Sequence, residues 1–209
     1  MALFKRSYSV KTNAFDQIKV SFEGETPAIS TEFEVSYEDA MHGLNVIAAN
    51  QDKKRIYGGT AILLVCGALA MPNLFSKNPV IAVLYILGAI VLVAGALLGP
   101  KLAQRKTAAE MSKMGKGTLN LFPGGYQVIQ QRVEYNVPFR VVDCYESDRA
   151  YIFVMGNDHM MVFNKKYFGE TNLLVREVLI ANMGAGRRFF KVDQKGKVIE
   201  NDLLKNPNA

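Results

Sequence analysis

Two uncharged stretches lying almost back to back constrain this chain more than any other feature. "IYGGTAILLVCGALAMPNLF" covers residues 56–75, and after "SKN" comes "PVIAVLYILGAIVLVAGALLG", residues 79–99. A helix needs about 20 apolar residues to cross a hydrocarbon core, and each stretch supplies that length without a charge. Core helices of soluble domains keep a polar stripe, which neither stretch has. The pattern predicts a transmembrane helical hairpin over 56–99, with spans 56–75 and 79–99. Pro72 kinks or stops the first span near its end. No charged residue lies in either span, which disfavours an ion or proton path. Gly95 and Gly99 have GxxxG spacing, with Gly88 one face away. They are candidate helix-packing positions, within the hairpin or between protomers.

The flanks give an orientation. Lys53, Lys54 and Arg55 precede the first span, Lys101, Arg105 and Lys106 follow the second, and the connection holds only Lys77. The positive-inside rule then places both termini in the cytoplasm. The first twenty residues contain no apolar h-region, so no cleaved signal peptide is expected. Charge is uneven along the chain. Residues 1–55 carry seven Lys/Arg against eight Asp/Glu, and residues 100–209 carry seventeen against eleven. A basic C-terminal part suits an anionic membrane surface, a nucleic acid or an acidic protein. The two cysteines, Cys66 and Cys144, have no CxxC or CxxH spacing. They are expected as free thiols in a reducing compartment, with no metal site.

The remaining residues divide by periodicity. In 1–55, "IKVSFE" (18–23) and "ISTEFEVS" (29–36) alternate apolar and polar residues around "GETPA", which predicts a hairpin. Ser36 and Asp39 have capping-box spacing. Tyr37, Met41, Leu44 and Ala48 then recur at helical period, in a helix expected to run into the first span. Residues 100–116 form a basic helical connector, predicted to stop at Gly115 and Gly117. From 117 the period becomes two, with strands expected at 118–122, 126–133, 135–139, 141–145, 150–155 and 159–163. A helix from Asn172 to Met183 follows, with Leu174, Val175, Val178 and Leu179 on one face. Residues 184–209 are expected as a loosely held basic tail with a disordered end, in which "FFKV" and "KVIE" pair weakly around "DQKG". The fold class is α+β, a membrane hairpin plus an antiparallel β domain over 117–183 closed by a C-terminal helix.

The layout and local wording resemble the YcxB-like family of small bacterial membrane proteins. The resemblance runs from about Phe33 to Met183. Its most telling part is "GTLNLFPGGYQVIQQRVEYNVPFRVVDCYESDRAYIFVMGNDHMMVFNKKYF". Two places depart from the family, Val137–Pro138–Phe139 where it has tryptophan, and Asn164 where it has proline. The resemblance implies a bacterial cytoplasmic (inner) membrane protein whose C-terminal domain is similar to pleckstrin-homology (PH-like) folds. It implies no established reaction.

No catalytic constellation emerges from the residues. His42 lies within helical reach of Glu38, and His159 with Ser147 and Asp148 from an adjacent turn could be imagined as a triad. Turns collect Ser, Asp and Asn for backbone reasons. "MGKGT" lacks phosphate-loop spacing, and "GAGRRF" closes a helix where a dinucleotide fingerprint would open one. No cofactor is implied. Lys165, Lys166, Arg187 and Arg188, aided by Lys101, Arg105 and Lys106, are the candidate contacts for an anionic lipid or a partner. Basic residues just inside a bacterial membrane meet anionic lipid more simply than nucleic acid. The leading expectation is a membrane-anchored, non-enzymatic cytosolic module that binds a protein, a peptide or another copy of itself, with edge-strand addition as one mode. Anionic-lipid sensing is the second reading. A toxin-immunity or transporter-accessory role is the third, and an enzyme ranks last.

Overall fold

The computed structural model describes residues 20–51, 61, 64–68, 72, 79–156, 159–183 and 188–200. Among them are nine strands: β1 (Ile29–Glu34), β2 (Lys116–Phe122), β3 (Gly125–Gln130), β4 (Val133–Pro138), β5 (Val142–Glu146), β6 (Ala150–Met155), β7 (His159–Asn164), β8 (Phe189–Val192) and β9 (Val198–Glu200). Three α-helices described from end to end accompany them, α1 (Tyr37–Asn50), α2 (Pro79–Ser112) and α3 (Asn172–Met183). One sheet, sheet A, has the order β1-β2-β3-β4, and sheet B has β7-β6-β5-β8-β9. All pairings are antiparallel except β5 with β8, which is parallel. The chain is therefore α+β, with antiparallel sheets and one long apolar helix.

The chain divides into two compact units, one made of residues 1–50 with 108–209 and the other of 51–107. This differs from the division at 55 and 117 that periodicity suggests. The reason is the partner of β1. "ISTEFE" pairs along its whole length with β2, Ile29 opposite Leu121 and Glu34 opposite Lys116. Residues 20–28 contain no strand, so the hairpin expected within 18–36 does not form there. Instead Phe22 stacks on Phe122 with ring centres 4.3 Å apart, and the Ala28 amide donates to the Leu121 carbonyl at 2.8 Å. The apolar segment is thus an insertion between the first and second strands of one β domain.

Two cores hold that domain. The larger lies between the sheets and against α3, and includes Phe33, Leu119, Leu121, Tyr126, Val128, Tyr151, Phe153, Phe163, Val175 and Leu179. Each fully buried aliphatic or aromatic side chain there contributes about 2 kcal/mol of transfer free energy. The smaller core gathers Val46 of α1 with Ala150, Ile152, Val162 and Val192 on the outer face of sheet B. The expected capping box starts α1. The Asp39 amide donates to Ser36 Oγ at 3.1 Å, and Ser36 Oγ donates to Asp39 Oδ2 at 2.7 Å. Gly43 lets the helix approach, because a Cβ there would sit 2.5 Å from Val162 Cγ2. The face of α3 is rotated slightly from the one expected. Val175, Leu179 and Met183 are buried, Val178 packs beside them, and Leu174 is exposed.

The described part of the tail is integral to the sheet. Phe189 is fully buried, β8 lies beside β5, and the Asn50 side chain bonds the Val46 carbonyl, the Gly196 carbonyl and the Val198 amide. Its last residues, 201–209, lie outside the described residues.

Helix α2 is the one helix among the described residues long and apolar enough to cross a membrane. It continues through Pro100 as expected, and its last turns from Ala108 belong to the β domain. Gly115, with φ +72°, leads out of the helix, whereas Gly117 is a residue of β2 lying under the Phe33 ring. Most of the expected first span lies outside the described residues. Residues 64–68 are helical, and Gly67 rests directly under the Tyr85 ring of α2. Gly88, Gly95 and Gly99 have no atom of the described chain where a Cβ would point.

Candidate functional site

The cationic residues singled out by sequence fall into different surroundings. Lys165 opens the 3-10 turn after β7, and its Nζ lies 2.8 Å from Glu146 Oε1. Arg176 of α3 takes the other oxygen, with Nε 2.9 Å from Glu146 Oε2. Glu146 ends β5 and is 5% exposed, so these two cations satisfy a buried carboxylate that would otherwise be costly. Lys165, which the sequence offered as a lipid or partner contact, is here an ion-pair partner of a buried carboxylate. Lys166 is exposed, its Nζ 4.8 Å from the Tyr167 ring centre. Arg188 stands 3.7 Å from Asp143 Oδ1. Burial lifts the Asp143 carboxyl above its ordinary range, and Arg188 partly offsets this. Arg187 lies outside the described residues. Lys101, Arg105 and Lys106 are exposed on α2 and belong to the other unit.

Around this ion pair is a polar pocket of about 310 Å³ lined by Glu146, Ser147, Asp148, Lys165, Arg176 and Lys191. Its charges nearly balance, three cations against two carboxylates, and Glu146 occupies two of the three. The histidine beside Ser147 is His42, and the triad set aside on sequence does not assemble. His159 pairs with Met155 at the far end of the β6–β7 hairpin, while Ala150, next to Ser147, pairs with Asn164. His42 Nε2 of α1 instead lies 2.9 Å from Ser147 Oγ. That hydroxyl also lies 3.1 Å from both the amide and the carbonyl of Ala150, as a turn-closing serine does. Burial lowers the His42 pKa, and Arg149 nearby adds to the effect against Asp39 and Asp148. Cys144 is fully buried and its thiol is pushed well up by that burial, which leaves it unreactive. No group of three metal-ligating side chains occurs among the described residues.

Asp39 is the anchor that sequence reasoning saw only as a cap. It is 2% exposed and receives Arg149 at 2.7 Å and Asn164 Nδ2 at 2.8 Å on Oδ1. Burial alone would raise its pKa, but the bonds from Arg149, Ser36 and Asn164 hold it below the ordinary value. α1 is thereby tied to the β5–β6 turn and to the end of β7.

One edge of sheet A, β4, is covered by no other described strand. The opposite edge, β1, is tied to the turn after β7, with Thr31 Oγ1 donating to the Tyr167 carbonyl at 2.8 Å and the Tyr167 hydroxyl to the Glu34 carbonyl at 2.9 Å. Among the described residues, β4 pairs with β3 and with no second strand. A two-residue loop, Gln131–Arg132, joins them, with both φ values positive at 52° and 66°. Such a loop closes on a hydrogen-bonded pair. Val133, Tyr135 and Val137 therefore bond back to β3, and Glu134 and Asn136 direct their amides and carbonyls outward. Pro138 shares the outward phase, where its missing N–H costs nothing. Val133, Tyr135 and the neighbouring Ile129 are exposed. Sequence reasoning splits this strand because Gln-Arg lacks the Asn or Gly that usually marks such a turn. Pro138 is the legible sign of an edge.

Comparison with family models, with curated proteins and with solved structures finds no match for this chain, so its function rests on these residues and their geometry.

Proposed function

We propose that this chain is a membrane-anchored, non-enzymatic interaction module that takes up an extended segment of a protein partner at the β4 edge, on the cytosolic face of a bacterial inner membrane. The carrying observation is that edge: six residues, Val133–Pro138, with a strand partner on one side only among the described residues, and with outward backbone groups at Glu134 and Asn136. Strand addition obtains affinity from such a row of unsatisfied backbone groups. The anchor is a two-span hairpin of 56–75 and 79–99 with both termini cytoplasmic. It draws support from the apolar length of α2, from Gly67 under Tyr85, and from the basic flanks. The antiparallel strands and α3 support the PH-like reading of the domain and the resemblance to the YcxB-like family. Partner binding is preferred to lipid sensing because Glu146 engages Lys165 and Asp143 lies beside Arg188.

A photo-crosslinking residue at Tyr135, introduced into the full chain in its native membrane, tests this. The expected result is an adduct heavier than the chain, abolished by Asn136→Pro, which removes an outward amide and spares the ladder to β3. Recovery of the monomer alone, or an adduct indifferent to Asn136→Pro, would overturn the proposal.

A further inference from the structure

The outer face of sheet A carries a hydrogen-bonded ladder that crosses all four strands in one direction. Ser30 Oγ of β1 donates to Asn120 Oδ1 of β2 at 2.7 Å. Asn120 Nδ2 donates to Gln127 Oε1 of β3 at 2.7 Å. Gln127 Nε2 donates to Glu134 Oε1 of β4 at 2.8 Å, and Asn136 Nδ2 donates to the same oxygen at 2.9 Å.

The direction is forced by chemistry. An ionised carboxylate only accepts, so Gln127 must turn its nitrogen to Glu134 and its oxygen to Asn120. Asn120 must then turn its oxygen to the Ser30 hydroxyl. By the same logic Asn136 offers its nitrogen to Glu134 and is left with a bare oxygen. That oxygen, Asn136 Oδ1, is the one buried side-chain polar atom without a partner among the described residues. Glu134 forms no ion pair among those residues either. The ladder thus arrives at the open edge and ends there in acceptors.

Resting on the proposed uptake of a strand at β4, we infer that the incoming segment carries a lysine or arginine at the position facing Glu134. A strand added there brings its side chains to about 5 Å from those of β4. A cationic donor at that position continues the ladder and pairs with Glu134. A carboxylate at that position adds like-charge repulsion directly across the pair.

Three fluorescent octapeptides test the inference on the full chain in neutral, zwitterionic nanodiscs: alternating valine–lysine, alternating valine–glutamate, and valine–lysine with alternate backbone nitrogens methylated. The chain's net charge of +6 favours the glutamate peptide at long range, so a lysine preference reports the local edge. The lysine peptide is expected to bind at least about tenfold more tightly than the glutamate peptide, Glu134→Gln is expected to erase most of that ratio, and the methylated peptide is expected not to bind. Equal or reversed preference, or a ratio unchanged by Glu134→Gln, with methylation still blocking binding, overturns the inferred donor and leaves edge uptake standing. Binding indifferent to methylation, or no binding by any peptide, overturns both.

Discussion

Sheets A and B share one core but are treated differently on their outer faces. The difference separates what holds this domain together from what it presents. β6 of sheet B reads AYIFVM, with Tyr151 and Phe153 in the inter-sheet core and Ala150 and Ile152 under α1. β3 of sheet A reads GYQVIQ, with Tyr126 and Val128 inside and Gln127 and Ile129 outside. Continuous apolar residues mark a strand covered on both faces, and alternation marks one wet face. Sheet B is also extended by β8 and the three-residue β9, whereas sheet A ends, among the described residues, in β4. The proposed uptake of a partner segment is placed on the sheet that the described residues leave open.

The sharpest way to break the comparison is to truncate the same residue type on the two outer faces. Ile152→Ala, at a fully buried site under α1, is expected to destabilise the domain by about 3 kcal/mol. Ile129→Ala, 39% exposed on sheet A, is expected to cost less than about 1 kcal/mol. Urea unfolding of the full chain in mild detergent, followed by the near-ultraviolet signal of the buried Tyr126 and Tyr151, measures both. Equal costs would mean that α1 does not cover sheet B in solution.

Next in size is the tie between α1 and sheet B. Asp39→Asn leaves Arg149 and the helix cap without their carboxylate and is expected to cost about 2 kcal/mol. The folded pKa of Asp39 lies below its unfolded value, so its contribution is full above the ordinary carboxylate range, about pH 4. It is lost as pH falls through the depressed value. The wild-type urea midpoint should therefore fall more steeply on acidification below about pH 4 than that of Asp39→Asn. Parallel curves would count against the assigned network.

The smallest effect concerns the open sheet. Arg132 holds φ at 66°, a conformation that costs a non-glycine residue about 1–2 kcal/mol, partly matched by the entropy of glycine. Arg132→Gly is expected to raise stability by about 0.5 kcal/mol and to leave partner crosslinking at Tyr135 unchanged. A loss of stability would show that the arginine side chain contributes more than the turn conformation costs.

Much of this architecture is legible in residue spacing alone. The capping box at Ser36 and Asp39, the hairpin around residues 155–159, the helix Asn172–Met183 and the apolar length of α2 all follow from it. Spacing fails where backbone and electrostatic partners are chosen at a distance. Lys165 looks like a turn lysine until Glu146, from another strand, is found buried beneath it. The β4 edge is obscured because Gln131 and Arg132 adopt a turn that neither residue advertises.

The sequence by itself determined that an uncharged segment interrupts the chain, and that amphipathic strands lie on either side of it. Apolar length and alternation are local properties, and each residue carries its share of them wherever the chain goes. Only the tertiary structure decided that Ile29–Glu34 crosses that interruption to pair with Lys116–Phe122, and that Phe189–Val192 lies beside Val142–Glu146. A strand's pattern fixes which of its faces is buried, but any strand of matching pattern can supply its backbone partner. The choice is made by the packing of the whole core, and that same choice leaves β4 at the end of sheet A among the described residues.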